Sequence, residues 1–371
     1  MINKKVGIVI TSNTFSGIAK LSSMMANDIS KQNIQVYLYV PIIPYYTFYF
    51  KIFNKKLFFF WIRKMVPENL IKYFLKRKFS FENILDNESL DQKLIKIKFF
   101  FLTISKNELS KLDCIILNGI GDVIEYQKYN IKKKIYLINQ IEEYYSGHEE
   151  LFKQTRKFFK GDLVTHCNFM TKKLSDHIDN IRVVPNPISY GIWKFKNQVN
   201  YQKERKEILI YWVNDRIYDD TYKILNEIVK LNNKIRITIF ARSGIGNLKV
   251  KKLSRQFNAK LYYDLDESSV AELYLEHSFL LYPNKFEPFG MPPIEALACA
   301  CIPILNPSTG AADMYAENNF NSIHLTYDPI IDAKNIITKL SDYEELEKLR
   351  KNSFKNLDQF NPYNYGIKIL N

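Results

Sequence analysis

Asn284-Lys285-Phe286-Glu287-Pro288-Phe289-Gly290-Met291-Pro292-Pro293-Ile294-Glu295-Ala296-Leu297-Ala298-Cys299 sets two carboxylates eight positions apart across a Phe-Gly turn. An apolar run, Phe279-Leu280-Leu281-Tyr282, precedes it and ends at Pro283, the pattern of a buried strand. Pro292 and Pro293 suit the first turn of a helix, where a missing N–H costs little. The stretch therefore reads as strand, loop and helix, an order that places a helix N-terminus beside an anion. Backbone N–H groups near Phe289, Gly290 and Met291 would face that anion, with a diphosphate as the expected kind. Eight helical residues rise about 12 Å, enough to set one carboxylate near a ribose and the other near a sugar two phosphates away. A bare pair of glutamates at this spacing recurs by chance, as two solvated side chains on an amphipathic helix. The strand, the glycine turn and the helix start around this pair give it weight.

Working outward, the C-terminal half continues as strands and helices in alternation. Residues 208–213, 235–240, 260–263, 279–282 and 302–305 read as strands, and 268–276 as the helix feeding the strand before Glu287. The N-terminal half opens with strand 6–11, a polar loop ending at Gly17, helix 18–32 and strand 35–40, a β-α-β unit. The G-x-G-x-x-G of a dinucleotide oxidoreductase is absent from its turn. Strands at 114–117 and 134–138 end in polar loops, Asn118-Gly119-Ile120-Gly121 and Asn139-Gln140-Ile141-Glu142-Glu143-Tyr144. Parallel sheets gather ligand sites at strand carboxyl ends, so both loops should face a cleft. A helix over 147–160 and a strand over 162–166 follow. Pro185-Asn186-Pro187 then suits a rigid, extended link, which puts a domain boundary near residues 186–206. A chain of 371 residues exceeds what one core usually organises.

The net charge of +14 favours anionic partners. No zinc-finger or RNA-recognition signature accompanies it, so nucleic acid is not expected. The four cysteines show no metal-ligand spacing, and Cys299 and Cys301 read as small core residues. No signal peptide is evident, which points to a cytoplasmic setting. Residues 41–81 mix fourteen aromatics with nine lysines and arginines around a single acid, Glu68. That mixture suits a surface in the interface of an anionic membrane, or helices that pack their aromatics into a core.

The segment from Glu287 closely resembles the signature of the retaining GT-B glycosyltransferases of group 1, also called GT4. Its usual form is E-x-F-G-(L/M)-x-x-x-E-A-(L/M)-A-x-G-x-P-(V/I), and here Ala300 stands in place of the second glycine. The resemblance implies an α/β GT-B fold, two Rossmann-like domains facing a central cleft. It divides the chain into an acceptor domain at 1–190, a nucleotide-sugar domain at 191–360 and a C-terminal helix at 361–371 that crosses back to the first. It implies that Glu287 binds donor-sugar hydroxyls, that the Phe289, Gly290 and Met291 backbone meets the diphosphate, and that Glu295 binds the ribose. The loop Asn306-Pro307-Ser308-Thr309-Gly310 resembles the family's loop after the next strand, with Gly310 bringing N–H groups near the donor. Gly17 fits the corresponding turn of the first domain, or is a helix-start glycine only. Residues 136–145 resemble a stretch of rhamnosyltransferase-like members, which makes Gln140, Glu142 and Glu143 acceptor candidates, or solvated loop residues.

One departure stands out. The family places an Arg and then a Lys, some five residues on, after the first strand of the second domain. Here Arg216 is the natural cation, Thr221 occupies the lysine position, and Asp215, Asp219 and Asp220 add repulsion. A departing diphosphate needs positive charge or aligned dipoles, so Arg216 must be helped, with Arg242 one candidate. The expected activity is retaining transfer of a sugar from a nucleotide-sugar to a glycan or lipid-linked acceptor, in cell-surface polysaccharide or glycolipid assembly. Glu287 and Arg216 would lie nearest the reacting atoms, with no metal and no cofactor besides the donor. The rival is a non-catalytic GT-B protein that binds a glycan or a partner glycosyltransferase as a scaffold.

Overall fold

The structure is a computed structural model that describes residues 4–10, 17–41, 94–100, 104–139, 149–174, 180–195, 205–213, 215–241, 247–285, 287–355 and 357–371. The aromatic and basic stretch that follows Pro41 lies outside these residues. Two compact units divide the chain. One comprises Met1–His166, Met170–Asn186 and Tyr363–Asn371, the other Cys167–Phe169 and Pro187–Pro362.

The first unit is built on a seven-stranded sheet of β1 (Lys5–Val9), β2 (Gln35–Pro41), β3 (Ile95–Phe100), β4 (Cys114–Leu117), β5 (Lys133–Ile138), β6 (Asp162–Thr165) and β7 (Ile181–Val183). Their order is β3-β2-β1-β4-β5-β6-β7, and every pairing is parallel. Central strands such as Cys114-Ile115-Ile116-Leu117 are wholly buried, as a sheet covered on both faces requires. The edge strand β3 instead alternates Ile-Lys-Ile-Lys. Strand order reverses between β1 and β4, and the helices Gly17–Ser30 and Ile120–Tyr126 begin on either side of that point. The chain end returns to this unit as the helix Tyr365–Leu370. It lies on Gly17–Ser30, where Gly366 N–H donates to Asp28 (3.3 Å) and a Cβ on Gly366 would fall 2.3 Å from Met25 O.

The second unit holds six parallel strands, β8 (Lys206–Trp212), β9 (Ile237–Ala241), β10 (Lys260–Tyr263), β11 (His277–Tyr282), β12 (Ile302–Leu305) and β13 (Ile323–His324). They run in the order β10-β9-β8-β11-β12-β13. One face, with Ile208, Ile210, Trp212, Ile239, Leu281 and Ile304, joins Ile224, Leu225 and Ile228 of the helix Tyr218–Leu231 in a single apolar core. On the opposite face three rings line up across neighbouring strands. Tyr211 stacks on Phe240 at 4.8 Å and on Tyr282 at 6.4 Å between centroids. Here the reversal lies between β8 and β11, in register Leu281↔Ile210. By the general rule for open α/β sheets, ligands gather beyond the carboxyl ends of those two strands.

Candidate active site

Beyond the end of β11 the chain enters the loop that carries Glu287. Tyr282, the last residue of the strand, is buried within the aromatic row, and its hydroxyl donates to Glu287 Oε2 at 2.6 Å. Asn284 Nδ2 donates to the same oxygen at 3.3 Å, and Gly290 N–H donates to Oε1 at 3.0 Å. Both carboxylate oxygens are thus held from within the loop. Burial pushes the Glu287 carboxyl above its ordinary range, while the Tyr282, Gly290, Phe289 and Asn284 donors pull the other way. Burial is the larger effect, so the net shift is upward.

Gly290 makes the turn from loop to helix. Its φ of 85° lies in the left-handed region, where a side chain would be strained. The helix Met291–Ala298 follows at once, with prolines in its first turn. Pro292 and Pro293 have no N–H, Ile294 N–H reaches back to Gly290 O at 3.4 Å, and Gly290 N–H goes to Glu287. The N–H of Met291 is the remaining first-turn donor. The helix N-terminus thus offers an anion its dipole more than a row of N–H groups.

The turn is clamped from behind. Phe289 is buried against Tyr315 and Phe360, with ring centroids 5.7 and 6.0 Å away. Tyr315 OH lies 3.0 Å from Phe289 O and also bonds Gly290 O. Gly310 N–H donates to Glu287 O at 3.1 Å, and a Cβ at Gly310 would come 1.5 Å from Pro288 O. The N–H of Gly310 is thus engaged by the Glu287 backbone, and the missing side chain lets two loops touch.

At the far end, Ala300 N–H bonds Leu297 O and Cys301 N–H bonds Ala296 O, both at 3.0 Å, a Schellman ending. Ala300 sits there at φ 51° in a place that favours glycine. The buried Arg205 guanidinium donates to Ala300 O (2.7 Å), Cys299 O (3.3 Å) and His277 O (3.3 Å), a cation on the negative end of the helix. Glu295, the fifth residue of this helix, is half-buried. Its charge adds to burial in raising the pKa of Tyr274, and with Glu287 it does the same for Tyr315.

Arg216 lies across the reversal point, on the turn Asp215–Ile217 after β8, where Asp215 and Arg216 are exposed and Ile217 is buried. Thr221 is buried, and its hydroxyl donates to Ile217 O at 2.6 Å. Lys285, from the β11 loop, pairs with Asp220 at 2.8 Å and lies 4.4 Å above the Tyr327 ring. The second unit therefore brings together Glu287, Phe289, Gly290, Met291, Glu295 and Gly310, with Arg216 on the adjacent loop. Gly17 begins a helix of the first unit. Arg242, Gln140, Glu142 and Glu143 lie outside the described residues. Sequence reasoning missed Tyr282, Asn284, Tyr315, Arg205 and Lys285. Only the positions of Asn284 and Lys285, just before Glu287, gave a signal. Among the described residues, no group of three or more His, Cys, Asp or Glu is placed to hold a metal.

Residues 197–356 match the family model for glycosyl transferases group 1. No curated protein is similar to the chain in sequence. Several solved structures share its fold. HepE of Anabaena, in complex with UDP-glucose, superposes with a TM-score of 0.70 at 11% identity, covering 99% of this chain and 98% of that one. A mutant of Staphylococcus aureus TarM, in complex with Fondaparinux, alpha-GlcNAc-glycerol and UDP, gives 0.70 at 10% identity and 100% of both chains. Sucrose-phosphate synthase of Thermosynechococcus elongatus gives 0.67 at 12% identity, with 99% and 97% covered. Residues 197–356 are thus similar to the group 1 glycosyl transferases, in a chain whose two parallel sheets form the GT-B fold.

Proposed function

We propose that the chain transfers a sugar from a nucleotide-sugar to a glycan or lipid-linked acceptor, with retention at the anomeric carbon and without a metal. The observation that carries this reading is the Glu287 carboxylate, held by Tyr282, Asn284 and Gly290 at a helix start beside the sheet's reversal point. A half-buried carboxylate fixed by three donors is stiff, and it orients sugar hydroxyls without reorganising as charge moves. Glu295, on the same helix, takes the ribose. Arg216 and the Met291 N–H face the diphosphate as it leaves. No side chain is assigned as a nucleophile; the leaving diphosphate assists attack from the same face of the sugar.

UDP is the first nucleotide to test, because HepE and TarM were solved with it. The acceptor candidates remain Gln140, Glu142 and Glu143, and assembly of cell-surface polysaccharide or glycolipid at the inner face of a membrane is the setting we favour. No helix among the described residues is long and apolar enough to cross a membrane. The test is a screen of UDP-, GDP- and dTDP-sugars for release of nucleotide, with EDTA present and the product anomer read by NMR. Turnover in EDTA with retained configuration is expected. Release only with added metal, or inverted product, overturns those parts of the proposal.

One observation favours the scaffold reading. Gly290 N–H is taken by Glu287 and two first-turn residues are prolines, which leaves few donors for a diphosphate. Calorimetry with the three nucleoside diphosphates separates the two readings, since a scaffold binds none of them at millimolar concentration.

A further inference from the structure

We propose that Lys285 is the second phosphate cation of this chain, supplied from the loop after β11 and parked on Asp220 while no donor is bound. The inference rests on the nucleotide-sugar reading above and names how that site completes its positive charge. The helix after β8 supplies no second cation where the family resemblance leads one to look, because Thr221 there is turned into the core and bonded to Ile217 O. Lys285 stands two positions before Glu287, on the other loop of the reversal point. Its ammonium reaches across to Asp220 on the helix Tyr218–Leu231, with Nζ–Oδ2 2.8 Å, so the ion pair ties the two ligand-facing loops together.

Three features suit a cation that changes partner. Lys285 is 44% exposed and Asp220 23% exposed, so solvent screens their attraction and the pair is a weak one. A diphosphate carries more charge than a carboxylate and competes well for the same ammonium. The Tyr327 ring, 4.4 Å from Nζ, holds the cation in place through either partner. The pair also answers the repulsion expected of Asp220. In the resting site that charge is neutralised, and it becomes a competitor only when Lys285 turns to the donor.

The two partners should therefore act in opposite directions, a result that a merely structural ion pair does not give. UDP, GDP and dTDP are titrated into the wild type by calorimetry, and whichever binds is carried to Lys285→Met, Lys285→Arg and Asp220→Asn. Lys285→Met should weaken the diphosphate about tenfold or more, and Lys285→Arg should restore most of the loss. Asp220→Asn should tighten binding a few-fold. The corresponding monophosphate should respond far less to each change. Equal binding by wild type and Lys285→Met overturns the assignment of Lys285 while leaving the donor site standing. Weakening by Asp220→Asn as large as that by Lys285→Met shows a structural pair and also overturns it. If no nucleoside diphosphate binds the wild type, the nucleotide-sugar reading fails, and this inference with it.

Discussion

Among the described residues, the carboxyl ends of the two sheets are furnished with different chemistry. In the first unit those residues are tied to one another by neutral hydrogen bonds. Asn118 Nδ2 donates to Val9 O at 2.7 Å, Asn139 Nδ2 donates to Asn118 O at 3.3 Å, and the Asn139 amide meets His166 Nε2. His166 Nδ1 completes the row at Val184 O, 3.1 Å away. Burial pushes His166 down to about 4. In the second unit the matching edge carries Glu287, Lys285, Asp220 and Arg216. Its buried histidine, His277, is also held to about 4 but sits at the amino end of β11, between Leu273 O and Thr238 Oγ1. Among the described residues, similar parallel sheets thus carry neutral hydrogen bonds at the strand ends in one place and charged groups in the other. The contrast shows why architecture alone does not locate chemistry.

The contrast is most exposed at Glu287. Glu287→Ala should cut turnover about 100-fold or more, read as nucleotide release. Glu287→Gln should also be poor in transfer yet melt higher than wild type at pH 7. The sign follows from the raised carboxyl: its stabilising contribution is full below the ordinary glutamate range and is lost as pH rises through the raised value. Melting curves at pH 7 and pH 4 check this, and the advantage of Gln should shrink at pH 4.

The histidines carry the opposite sign. Each is depressed from 6.5 to about 4, so its contribution is present above pH 6.5 and is lost as pH falls through about 4. That loss is on the order of 3 kcal/mol per histidine. Hydrogen exchange of β6 and β11 amides at pH 7, 5 and 4 should show both units weakening together. Weakening of β11 alone would break the parallel between the two histidines.

Smaller effects sharpen the picture within the second unit. Gly310→Ala forces a contact of 1.5 Å with Pro288 O and should destabilise that unit by about 1–3 kcal/mol, leaving β1 and β4 exchange unchanged. Ala300→Gly should stabilise it by less than about 1 kcal/mol, since relief of a left-handed φ is partly offset by a lost buried methyl. Urea titrations followed by tryptophan fluorescence, with Trp212 fully buried in that core, measure both.

Much of this was legible beforehand because it is written locally. The strand at 279–282, the turn at Gly290 and the helix start at Pro292 and Pro293 each depend on neighbours a few positions away. Cys299 and Cys301 read as core residues and are buried. The short strands β3 and β13 gave weaker signals. The first alternates lysine with isoleucine because it is an edge, and the second has only two residues.

By itself, the sequence determined most of the strands and helices and the Glu287-to-Glu295 segment, since periodicity and turn chemistry are properties of contiguous residues, while the two-domain class followed from the family resemblance. Only the tertiary structure decided what grips Glu287, why Gly310 must lack a side chain, and that Asp220 faces Lys285. Those contacts join residues up to 65 positions apart along the chain. Strand order creates such neighbours, and no local pattern encodes it.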